Sequence, residues 1–75
     1  MHKNYLIDKL NKMYLEAEEN DKTTMIRLFG IIYGDIILKN KITATELANE
    51  SLVNNSYHVE ISKGIRLSKY VVLKE

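Results

Sequence analysis

The side chains with the most evident chemistry lie in the last third of the chain. Lys63, Arg66 and Lys69 recur at intervals of three and so fall in one row along a helix. Such a row either meets anionic groups or is a plain solvated face. Ahead of it stand Asn54, Asn55 and Ser56. These short polar side chains can cap a helix, shape a turn, or exchange hydrogen bonds with another molecule. Catalytic chemistry is poorly provided for. The chain has no cysteine, no serine in a nucleophile elbow, and no lysine-flanked glycine loop around Gly30 and Gly34. His2 and His58 have no carboxylate at metal-ligand spacing. The expectation is a protein that is not an enzyme and uses neither a metal nor a cofactor.

The elements that must position these residues fit in 75 residues, which is room for a single helical domain, 1–75. The absence of proline and the presence of only three glycines favour helices with short connections. The net charge of +1 does not by itself announce a partner, but its distribution is uneven. Residues 1–20 set Lys3, Lys9 and Lys12 against Asp8, Glu16, Glu18 and Glu19. Residues 56–75 set Lys63, Arg66, Lys69 and Lys74 against Glu60 and Glu75, which points to two different surfaces. No apolar run is long enough to span a bilayer, and Asp8 and Lys9 interrupt the place of a signal peptide's apolar stretch. These features predict a cytoplasmic protein with no membrane partner. A domain this small buries little surface, so a homodimer is an open possibility.

Leu6, Leu10, Met13 and Ala17, widened by Ile7 and Tyr14, form one helical face over residues 4–18. Asp21 is placed to cap the following helix through its carboxylate. Residues 22–39 carry apolar side chains around nearly the whole circumference, as a central helix would. Gly30 and Gly34 share a face there and suit close approach of another helix, within the chain or across a dimer. Thr43 and Glu46 have capping-box spacing, with Leu47 and Ala48 behind them as the buried residues of a short helix. Residues 51–54 form a turn, and Asn55 or Ser56 caps a helix starting at Tyr57. Its inner row is Tyr57, Ile61, Ile65 and Ser68. Gly64 either ends this helix or lies inside it. The tail KYVVLK fits a last helical turn or a short strand.

The stretch 42–64, ITATELANESLVNNSYHVEISKG, resembles a helix-turn-helix of the repressor type. The resemblance is carried by Leu47 and Ala48 in the first helix, Val53 in the turn and Ile61 in the second. The run EISKG is similar to the end of a recognition helix in small phage and plasmid regulators. The segments LFGIIYGDI and SYHVEISKGIRLSKYV look like short prokaryotic helix-turn-helix-like domains. Two positions depart from the pattern. Leu52 stands where the motif has a glycine, which implies a differently shaped or strained turn. His58 stands where an aliphatic faces the first helix, unless a turn shifted by one residue puts Val59 there.

The resemblance implies an all-α fold, a small four-helix domain with the helix-turn-helix at 43–64. It further implies a regulator or accessory protein that binds double-stranded DNA. Thr43 would offer a backbone amide to a phosphate, and Asn54, Asn55 and Ser56 would reach base edges. His58 and Ser62 complete that helix face, and Lys63, Arg66 and Lys69 would meet phosphates. A dimer would impose two half-sites. The alternative is a non-catalytic module on the same scaffold with a protein partner, such as a phage- or plasmid-type inhibitor or a dimerising adapter.

Overall fold

The computed structural model describes residues 2–70. Four helices follow one another: α1 (His2–Glu16), α2 (Lys22–Lys39), α3 (Ala44–Glu50) and α4 (His58–Leu67). Short 3-10 turns, Glu19–Asp21 and Asn55–Tyr57, precede α2 and α4. No strand occurs among the described residues, so the all-α expectation holds. Lys69 and Tyr70 lie in the turn after α4, and the rest of the KYVVLK tail lies outside the described residues.

The core gathers the expected rows. Leu6 and Leu10 of α1, Ile26, Phe29 and Ile37 of α2, Leu47 of α3 and Ile61 of α4 are fully buried together, with Ala48 at 1% exposure. Val53 is the turn residue that plugs the corner between α3 and α4. The α1–α2 connection closes on Lys22, whose ammonium donates to the Tyr14 carbonyl at 2.8 Å and sits over the Tyr14 ring. Asp21 occupies the cap position of α2, but its carboxylate makes no cap bond. The preceding 3-10 turn already winds the chain there (φ −107°, ψ 0°), and a side-chain cap needs an extended residue. Nor is α2 buried on every side. Ile32 and Leu38 remain 43% and 49% exposed, on a part of its circumference that the packing against α1 and α4 leaves uncovered.

The α2–α4 crossing explains all three glycines. A Cβ on Gly30 would lie 2.6 Å from the Ile61 carbonyl oxygen and 2.9 Å from Gly64 Cα. Gly64 lies inside α4, with backbone of Arg27 and Gly30 filling the place of its side chain. Gly34 faces the Ser68 side chain. The close approach suggested by Gly30 and Gly34 is therefore made within the chain, and the cost of glycine in a helix, about 1 kcal/mol each, is offset by backbone-to-backbone packing at Gly30 and Gly64 and by the seat of the Ser68 side chain at Gly34.

The α2–α3 connection is tied by two backbone bonds, Ile42 N–H to the Ile37 carbonyl and Lys41 N–H to the Leu38 carbonyl. This is a Schellman closure, and it puts Lys41 in the left-handed region at φ 56°. Thr43 then starts α3 with the expected capping box. Its hydroxyl accepts from Glu46 N–H at 3.0 Å, and the Glu46 carboxylate accepts from Thr43 N–H at 3.2 Å.

Candidate nucleic-acid interface

The turn between α3 and α4 differs from the usual motif in a way that sets the phase of α4. Leu52 does not take a positive φ. The turn is shaped by Ser51 instead, whose hydroxyl donates to the Ala48 carbonyl and accepts from Val53 N–H, both at 3.2 Å. Asn11 of α1 accepts from Leu52 N–H at 2.8 Å, tying the turn to the rest of the fold. A 3-10 turn follows, so α4 begins at His58 and not at Tyr57. The capping side chain is Asn54, which accepts from Ser56 N–H at 3.0 Å, and not Asn55 or Ser56. An inserted turn of helix moves the cap back toward the corner.

With that start, His58 is half-buried while Val59 is 45% exposed, which decides between the two registers. Ile61 is fully buried and Tyr57, Ile65 and Ser68 are half-buried, as the inner row requires. The Tyr57 ring meets the Tyr14 ring edge-on, with centroids 5.9 Å apart, so it belongs to the packing. The outward side of α4 and its leading turn carries Asn55, Val59, Ser62, Lys63, Arg66 and Leu67, all exposed.

This helix stands between two grooves. The first, about 320 Å3, runs between α4 and the α2–α3 connection, and brings Thr43 together with Ser62, Arg66 and Lys69 over an apolar floor of Ile42 and Ile65. The second, about 290 Å3, runs between α4 and α2 and is lined by Arg27, Lys63, Arg66 and Leu67. The row of cations is thus split. Lys69 faces one groove, Lys63 the other, and Arg66 borders both. Asn54, Asn55 and Ser56 line neither groove. They lie at the leading end of the helix, with Asn55 and Ser56 exposed and about two helical turns from Lys63.

Two electrostatic details refine the expected roles. The Thr43 amide is already taken by Glu46, whose carboxyl that bond and Lys3 hold below the usual glutamate range. The amide is therefore not a free phosphate donor, and Thr43 contributes its place at the groove rim. Glu60 likewise sits low because Arg27 donates to it, through Nη2 at 2.6 Å and Nε at 3.2 Å, with Lys63 Nζ 3.9 Å away. Arg27 is the residue the sequence did not point to. It comes from α2, outside the motif, and only the glycine crossing brings it beside α4.

Among the described residues no helix is long and apolar enough to cross a membrane. No curated protein and no solved structure gives a significant match to the chain. A family model described as an HTH-like domain matches residues 2–74, nearly the whole length and well beyond the 42–64 stretch that carries the resemblance. The chain belongs to this HTH-like domain family.

Proposed function

We propose that this chain is a non-catalytic, cytoplasmic DNA-binding regulator or accessory protein that lays α4 in the major groove of double-stranded DNA. The supporting observation is the outward side of α4: uncommitted Asn55 and Ser62 along its length, with cations bordering the grooves on both sides. A B-form major groove about 12 Å wide admits one helix and sets a phosphate backbone on each side of it. Asn55 and Ser62 then face base edges. Lys63, Arg66 and Lys69 face phosphates and supply affinity without sequence preference. So few cations bind weakly, and a homodimer on two half-sites doubles the contacts.

The test is a fluorescence titration against duplex DNA at two salt concentrations. Binding that weakens steeply with salt supports phosphate contact. No binding at tens of micromolar protein in low salt overturns the reading. The double variant Lys63→Ala, Arg66→Ala is expected to lose affinity at an unchanged melting temperature.

A second reading is favoured by one specific feature. Val59, Leu67 and Tyr70 are 45%, 39% and 81% exposed on or just beyond the same helix, and the net charge is only +1. Those side chains suit a protein partner, with the fold serving as an interaction module. Loss of DNA binding in the titration above, together with a partner whose capture depends on Val59 and Leu67, would favour it.

A further inference from the structure

The groove between α2 and α4 is a composite of two elements, and its chemistry is more specific than that of a solvated face. Arg27, Lys63 and Arg66 line it against one acid, Glu60. Glu60 takes one edge of the Arg27 guanidinium, the Nε and Nη2 side, through a single carboxylate oxygen. A guanidinium carries five N–H donors in a fixed plane. The other edge, Nη1 with the outer hydrogen of Nη2, has no hydrogen-bond partner among the described residues. Arg27 is 41% exposed along its side chain, whereas Glu60 is 19% exposed, so the acid lies deeper than the base it orients. The Lys63 ammonium, 3.9 Å from Glu60 and 52% exposed, is held too loosely to be consumed by that pair. Arg66 closes the groove from the crest of α4.

A preset planar fork, with two further cations beside it, is the arrangement that takes a phosphate bidentately. We infer that this groove seats a phosphate group, with Arg27 as its principal contact and Glu60 as the residue that positions Arg27. The inference deepens the DNA reading and rests on it for the source of the phosphate. Lys69 and Thr43 border the backbone on one side of α4, and Arg27 with Lys63 takes a phosphodiester on the other. A contact from α2 would then anchor the helix-turn-helix from outside the motif.

Two measurements on the full chain test this. In the first, the 15N-labelled protein is titrated with inorganic pyrophosphate at constant ionic strength. The Arg27 Nε–H and Gly64 amide signals are expected to shift together and saturably. In the second, duplex DNA affinity is measured across salt for Arg27→Gln and Arg27→Lys. Glutamine is expected to lower the slope of log K against log salt by about 0.9, the share of one phosphate, and equally for every sequence. Lysine is expected to keep most of the slope, which separates charge from a mere effect on folding. If pyrophosphate shifts the signals and the wild-type chain binds no DNA, the seat stands, its source is a free phosphate-bearing ligand, and the DNA reading fails. If DNA binds with an unchanged slope in Arg27→Gln and pyrophosphate moves nothing, the inference is overturned and the DNA reading survives. If neither ligand binds, both fall.

Discussion

Gly30 and Gly64 fill each other's missing side-chain space. A Cβ on either residue would stand 2.9 Å from the other's Cα. The atoms in the way are backbone, so they cannot rotate aside. Gly64→Ala gains about 1 kcal/mol of helix propensity but overpacks a site where strain commonly costs about 1–3 kcal/mol. With Arg27 and Gly30 backbone both pressed on that position, a net loss is expected. Urea unfolding should show a lower midpoint at an unchanged slope. A variant as stable as the wild type would mean that the backbones of α2 and α4 leave room for a methyl group at Gly64.

Gly34 tests the same crossing differently, because its neighbour is the Ser68 side chain. Gly34→Ala should destabilise the fold, and adding Ser68→Gly should recover most of the loss. The double-mutant cycle is expected to give a coupling of about 0.5–3 kcal/mol, as for residues in contact. Simple additivity would show that the two positions do not meet.

Lys41 holds a left-handed backbone conformation, at φ 56°, that a side chain opposes by roughly 1–2 kcal/mol. Glycine adopts it freely but loses more entropy on folding, by about 0.5–1 kcal/mol. Lys41→Gly is therefore expected to stabilise the chain by about 0.5–1 kcal/mol, raising the melting temperature by several degrees. Lys41→Val should do the reverse, since a β-branched residue tolerates that region worst.

Acid should weaken the fold through Glu46 and Glu60. The Thr43 amide and Lys3 lower the Glu46 carboxyl, and Arg27 lowers that of Glu60. A carboxyl whose folded pKa lies below its unfolded value binds fewer protons in the native state. Its contribution is complete above the ordinary glutamate value of 4.5 and is lost as pH falls through the lower folded values. Unfolding free energy measured between neutral and strongly acidic pH should decline in that window. Glu60→Gln and Glu46→Gln should each flatten the decline, whereas Thr43→Ala keeps the backbone amide that holds Glu46 low and should cost about 1 kcal/mol at neutral pH through the lost cap while leaving most of the decline in place.

What was legible in the sequence was local. The Leu6–Leu10–Met13 stripe, the extent of α2, the Thr43–Glu46 box and the inner row of α4 all depend on residues within a turn or two of each other. The corner packing of Ala48, Val53 and Ile61 was legible too, because a small residue, a turn aliphatic and a helix aliphatic leave a pattern of types. The contacts that stayed hidden join residues far apart in the chain, such as Asn11 with Leu52 and Arg27 with Glu60. Their partners are chosen by the angle and closeness of helix crossings, which no periodicity encodes. Gly64 was ambiguous for a related reason, since glycine serves equally at a helix end and at a crossing. The start of α4 lies one residue later than the sequence suggests, because Asn54, Asn55 and Ser56 are all capable caps. Only the Asn54 bond to Ser56 N–H distinguishes them.

That same bond decides which asparagine is free to meet a base. The Asn54 carboxamide oxygen already accepts from Ser56, so under the proposed DNA reading a two-atom contact with adenine would fall to Asn55, which is exposed at the leading end of α4. Duplexes selected from a random pool by the wild-type chain supply a preferred sequence and scrambled controls. Asn55→Ala is expected to lose about 1–3 kcal/mol of discrimination at one base pair and little affinity for scrambled DNA. Lys69→Ala should weaken preferred and scrambled duplexes alike, with the salt slope reduced by about 0.9. If Asn55→Ala and Ser62→Ala instead weaken preferred and scrambled duplexes alike, the outward side of α4 touches only the backbone, and α4 is not the element that selects sequence. Any preference would then come from the shape of the duplex between the two cationic grooves.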